Sequence, residues 1–220
     1  MKDWTSTQGA AAALNSLNRA LCSHHLDDAD LDDIAEVVSE LASRFTGTPR
    51  RDKLTDMQTR PHLAAIYAGQ RTPLAIELGE QIEFDPFSIA GGEFHPASIG
   101  VTFHKESEES VVGRGVIDPM FAGPPERVHG GVQALIIDEV MGALNRMLGR
   151  QAFTARLIVN YRGPAPLGVP VTFRAWVERV EGRKITLGAT GEGPDGLFVD
   201  ADGLFVARRD DDPFPGTTTA

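Results

Sequence analysis

The sequence predicts an α+β fold in which a curved antiparallel sheet wraps around one long central helix, with a helical extension at the N-terminus. Three observations lead there. Strand-like runs flank a single helical stretch. Short turns separate the last four runs, which implies antiparallel pairing. The helix carries one dense apolar arc that a sheet face can cover.

In chain order, two helical patterns come first. Ala10, Leu14, Leu17 and Leu21 recur at helical spacing, then Ile34, Val37, Val38, Leu41 and Phe45 form a clearer stripe. Asp30 is the expected N-cap of the second helix, and Gly47 and Pro49 are its stop. These helices read as an antiparallel pair or as a clip laid on something larger. Residues 49 to 80 read as a connector with some local structure around Leu63 to Tyr67. The texture then changes. Ile99, Val101 and Phe103 alternate with Gly100, Thr102 and His104, and Val111 to Ile117 follows a charged turn. A Gly/Pro-rich loop, Asp118 to Arg127, leads into a helix from Gly131 to Gly149. Phe153 to Tyr161, Val171 to Val177, Lys184 to Thr190 and Leu197 to Ala207 are strand-like, with Gly163-Pro164, Glu181-Gly182 and Pro194-Asp195-Gly196 as turns. This layout is that of a hot-dog fold. The expected division is residues 1–80 as helical extension and connector, 81–209 as the hot-dog domain and 210–220 as a disordered tail.

Composition narrows the function. The 220 residues have a formal net charge of -10, which disfavours nucleic acid as a partner because such binding needs clustered Lys and Arg. No run of about eighteen apolar residues suggests a membrane span, and Met1-Lys2-Asp3-Trp4 does not open like a signal peptide. A cytoplasmic setting is expected. The single cysteine, Cys22, reads as a packing residue. No metal site is expected: His24-His25 suits a solvated helix end, and His62, His95 and His104 are isolated.

On the central helix, Val132, Ile136, Val140, Ala143, Leu144 and Met147 form the arc expected to face the sheet. Asp138 lies nearly opposite, and none of Ala134, Leu135, Met141 and Gly142, one turn away, can pair with its charge. The wheel alone favours a solvated face, shared with Asn145 and Arg146. Glu139 points about 100° away, so the two carboxylates do not form an acid/base pair. At the helix start, His129-Gly130-Gly131 offers backbone N–H groups that suit a negative oxygen, although a double glycine there is more often only a turn.

The run His129-Gly130-Gly131-Val132-Gln133-Ala134-Leu135-Ile136-Ile137-Asp138 resembles the signature of the PaaI-like, THEM4-type branch of hot-dog acyl-CoA thioesterases. The aspartate nine positions after the histidine, the continuation Glu139-Val140-Met141-Gly142 and the strand Thr154 to Arg162 match it as well. The resemblance runs from about Pro96 to Arg208. It implies hydrolysis of an acyl-CoA to the acid and CoA, with Asp138 as nucleophile or general base. The N–H of Gly131 would polarise the carbonyl, His129 would hold the turn and substrate, and Thr154 would reach in from the facing subunit to place water. Gly130 and Glu139 join the expected substrate-binding set. Arg156 and Arg162 are candidates for CoA phosphates, though arginines on strands are more often plain surface charges. No cofactor is implied beyond the CoA of the substrate, and the expected assembly is a homodimer or a dimer of dimers.

Three other readings compete. A non-catalytic acyl-CoA sensor or scaffold would bind without turnover and has no need of Asp138. A hot-dog hydratase would need a differently placed Asp/His pair. A purely structural dimer would leave the His-Gly-Gly turn unexplained.

Overall fold

A computed structural model of the chain describes residues 3–52, 55, 56, 59, 64, 72–83 and 85–209. The expected Leu63–Tyr67 stretch, His62 and the tail from Asp210 lie outside the described residues, apart from Ala64. The elements are α1 (Thr5–Ser23), α2 (Asp28–Arg44), β1 (Thr102–Lys105), β2 (Ser110–Val116), a short 3-10 turn (Pro119–Phe121), α3 (Gly130–Met147), β3 (Ala152–Tyr161), β4 (Pro170–Glu181), β5 (Lys184–Gly193) and β6 (Gly196–Ala207).

The six strands form one sheet in the order β1-β2-β4-β5-β6-β3, every neighbouring pair antiparallel. The turns Glu181-Gly182 and Pro194-Asp195 join β4 to β5 and β5 to β6 as hairpins. By contrast, β3 pairs with β6 rather than with β4, its neighbour in sequence, and stands at the sheet edge. The sheet face toward α3 follows the period of two: Val171, Phe173 and Ala175 on β4, Ile185, Leu187 and Ala189 on β5, and Val199, Ala201 and Phe205 on β6 are buried. Against them lie Ile136, Ile137, Val140, Ala143 and Leu144 of α3. Each large apolar side chain removed from water contributes about 1.5–3 kcal/mol, so this shared core fixes α3 in the curve of the sheet. Gly203 makes the approach close: a Cβ there would stand 2.5 Å from Met141 Sδ. This is the hot-dog arrangement.

The wheel misjudged the second side of α3. Met141 and Asn145 are buried as well, while Val132 is only half-buried. Met141 meets the sheet at Gly203, and a further cover of α3 is the stretch from 72 to 101, expected up to residue 80 to be a connector with some local structure. It lies against the helix: Leu74 N–H donates to the Met147 carbonyl at 2.9 Å, and the buried Ser88 hydroxyl donates to Glu139 at 2.9 Å. Gly91 and Gly92 permit its tight course, since a Cβ would meet the Val101 carbonyl at 2.0 Å or the Pro86 carbonyl at 2.4 Å.

The N-terminal helices depart from expectation. Rather than docking through its leucines, α1 buries Ala11 and hydrogen-bonds outward: Asn15 donates to the Ser98 carbonyl and Asn18 to the Pro96 carbonyl. Trp4 stacks on Phe94 at 5.2 Å and meets Phe87 edge-on, with the Arg51 guanidinium 4.8 Å over the Phe87 ring. Cys22 is exposed rather than packed. The N-cap of α2 is Asp27, not Asp30; its side chain accepts from the Asp30 N–H at 2.9 Å. No residue of α2 is buried, so its stripe of Val37, Val38, Leu41 and Phe45 meets solvent. Among the described residues, no helix is long and apolar enough to cross a membrane.

Candidate active site

The start of α3 is built by His129. Its ring Nδ1 accepts from the Gly131 N–H at 2.9 Å, and its carbonyl accepts from the N–H groups of Val132 and Gln133. The histidine is therefore an N-cap in which a ring nitrogen replaces the usual hydroxyl or carboxylate. The Gly131 amide, expected to polarise a carbonyl, is engaged by this ring in the structure. Gly130 N–H has no partner among the described residues, and it sits at the positive end of an 18-residue helix. The Gly130 carbonyl accepts from the Tyr161 hydroxyl at 2.9 Å, which ties the turn to the end of β3.

Asp138 is half-buried near the middle of α3. As the wheel implied, no helical neighbour pairs with it, but β3 supplies a partner. The Thr154 hydroxyl donates to Asp138 Oδ1 at 2.7 Å within the same chain. A β-bulge makes this possible. The register of β3 on β6 steps from Thr154↔Phe205 to Arg156↔Leu204, leaving Ala155 as the extra residue. Ala152 and Thr154 before it, and Leu157, Val159 and Tyr161 after it, then share the side that meets α3. In a strand without a bulge, residues three apart such as Thr154 and Leu157 would fall on opposite faces.

The other expected residues divide. Glu139 accepts from Ser88 and fastens the preceding stretch to α3. Arg156 is exposed on β3. Arg162 is bound to Asp200, with its Nη2 at 3.3 Å from Oδ1. Hydrogen bonds from Arg162 and then Asn160 hold the Asp200 carboxyl below its usual range, and Asp200 raises the already high value of Arg162. Arg162 also lines a cavity of about 380 Å³ with Arg127, Gly130, Gln133 and Tyr161. Gln133 and Tyr161 were not singled out from the sequence. Gln133 did leave a signal: it lies four and seven residues before Ile137 and Val140, a polar side chain on a buried stripe. Among the described residues, no three His, Cys, Asp or Glu side chains cluster as metal ligands would.

Residues 126–197, which hold the turn, Asp138 and Thr154, match the family model of the Thioesterase superfamily. The hot-dog domain is thioesterase-like in sequence as well as in fold. The acyl-coenzyme A thioesterase THEM4 of Xenopus laevis is 35% identical over 106 residues, 47% of this chain and 48% of that protein. THEM4 of Bos taurus is 32% identical over 108 residues, 48% of this chain and 44% of that one. The chain thus matches about half the length of these curated relatives. A crystal structure of a thioesterase superfamily protein aligns with a TM-score of 0.70 and 26% identity, covering 93% of this chain and 92% of the other.

Proposed function

We propose that the protein hydrolyses an acyl-CoA thioester to the free acid and CoA. The observation that carries this reading is the Asp138–Thr154 pair on α3 and β3, within the thioesterase-like segment that the glycine turn opens. Asp138 serves as general base or as nucleophile. As a base it takes a proton from water, whose oxygen attacks the thioester carbonyl carbon. The oxygen that becomes negative meets the Gly130 N–H rather than the engaged Gly131 N–H. The C–S bond then breaks, and the CoA thiolate leaves with the proton held on Asp138. A thiolate leaves readily, so no metal or further cofactor is needed.

Helix geometry supports a shared site. Gly130 and Asp138 of one chain are eight residues apart, about 12 Å along the axis, too far to act on one carbonyl. Two copies that bring the acid of one beside the turn of the other close that gap. The exposed edge strand β3, with Phe153, Ile158 and Tyr161 all about half-exposed, supports a homodimer. His129 holds the turn, while Arg156 at the exposed edge is the more available of the two arginines for a CoA phosphate. A cytoplasmic setting suits the exposed free thiol of Cys22.

Release of free thiol from a panel of acyl-CoAs tests the reading. Asp138→Ala should lose about 10²–10⁴-fold in rate while keeping the oligomeric state of the parent. Binding without thiol release from any substrate would instead favour a sensor, and turnover that survives the substitution would remove Asp138 from the mechanism.

A further inference from the structure

The cavity beside the glycine turn contains a feature that the hydrolytic steps leave unused. Gln133 is buried, at 4% exposure, and its Nε2 donates to the Val128 carbonyl at 3.2 Å. That bond fixes which end of the amide is which, because a flipped group would set two oxygens against each other. Its Oε1 then has no hydrogen-bond partner. A buried acceptor left unmet is costly, and the residue that carries it forms part of the wall of the 380 Å³ cavity shared with Gly130 and Arg127. The oxygen itself has almost no accessible surface, so a ligand meets it when the Gln133 side chain shifts toward the cavity, and the donor it lacks is what that ligand brings. Arg127, exposed at the same cavity and without an acid partner among the described residues, favours a ligand that is anionic elsewhere.

We infer that Gln133 is a specificity residue that accepts a hydrogen bond from the substrate's cysteamine amide N–H, the donor two methylenes from the sulfur. The inference rests on the acyl-CoA reading above and adds to it. Gly130 and Gln133 are three residues apart on α3, neighbours about 5–6 Å from each other. The thioester carbonyl carbon and the cysteamine nitrogen are separated by sulfur and two carbons, a comparable span. A carbonyl held at Gly130 therefore puts the amide N–H beside Gln133. Both bonds are made to groups present in every CoA ester, so the pair selects the carrier arm, not the acyl chain.

The test compares two small thioesters in the full-length protein: an S-acyl-N-acetylcysteamine, and the ester analogue in which oxygen replaces the amide N–H. The parent should prefer the amide by about tenfold in kcat/KM. Gln133→Met should bring the ratio close to one by slowing the amide substrate alone. Each ratio is taken within one preparation, so partial unfolding cancels. A parent ratio within twofold overturns the inference, as does a tenfold ratio that persists in Gln133→Met. If the methionine variant does not fold, the parent ratio decides. If no acyl-CoA is hydrolysed at all, the thioesterase reading fails separately. The assignment of Gln133 is then read from calorimetric binding of the corresponding thioethers, where equal affinities for amide and ester would overturn it.

Discussion

Replacing Thr154 by valine removes one hydrogen bond and little else. The Thr154 hydroxyl donates to Asp138 Oδ1 at 2.7 Å. A bond to a charged acceptor is worth about 1.5–3 kcal/mol when nothing replaces it. Here Thr154 is exposed and Asp138 only half-buried, so water recovers part of that. About 1.4 kcal/mol is left, which corresponds to a tenfold fall in kcat/KM if the bond aims the carboxylate. Valine keeps the shape of threonine and suits an edge strand, so the fold should lose no more than about 0.5 kcal/mol. The assay is thiol release from acyl-CoA, run beside a thermal melt. Thr154→Ser should recover most of the activity, since it returns the hydroxyl. A valine variant that turns over within twofold of the parent, with the same melting temperature, would refute the claim that this hydroxyl positions the acid.

Two further outcomes follow from packing and charge. Gly203→Ala places a methyl 2.5 Å from Met141 Sδ and 2.9 Å from the Phe205 ring. It should cost about 1–2 kcal/mol and lower the melting temperature by about 3–6 °C; an unchanged melt would mean that α3 is held less closely than described. Asp200→Asn tests the pair with Arg162. Because the Asp200 carboxyl is held below its ordinary value of 3.8, its stabilising effect is present above that value and fades as pH falls through the lower, folded value. The parent should melt slightly higher than the variant at neutral pH, by no more than about 2 °C for so exposed a pair. That gap should close in strong acid and shrink in high salt. A gap that widened on acidification would contradict the assignment.

Much of the fold was readable because the sheet alternates cleanly. Val171, Phe173 and Ala175, or Ile185, Leu187 and Ala189, announce strands with one buried face. Strand order was less accessible. Nothing local to β3 says that it pairs with β6, because edge position is decided by the whole sheet and not by one run's pattern. For α3 the wheel assumed too narrow a buried side: Met141 also meets the sheet at Gly203, and the stretch from 72 to 101 is bonded along the helix, so Met141 and Asn145 were misread. At the site, the spacing of His129 and Asp138 was visible in the motif. That the His129 ring takes the Gly131 N–H was not, since it depends on a rotamer. The partnership of Asp138 with Thr154 lies between elements sixteen residues apart and turns on one extra residue in a strand.

That extra residue has a bearing on how the chain tolerates insertions and deletions. Ala155 is small, solvent-facing and on an edge strand, a place where losing one amino acid would ordinarily pass unnoticed. Losing Ala155 itself would leave a regular strand with Thr154 and Leu157 still facing α3, whereas losing Ile158, also exposed on this strand, would turn either Leu157 or Val159 and Tyr161 outward. The same length change in the exposed turn at Glu181-Gly182 moves no side chain of the site. Sensitivity to gaps along this protein is therefore governed by phase relative to α3, and exposure is a poor guide to it.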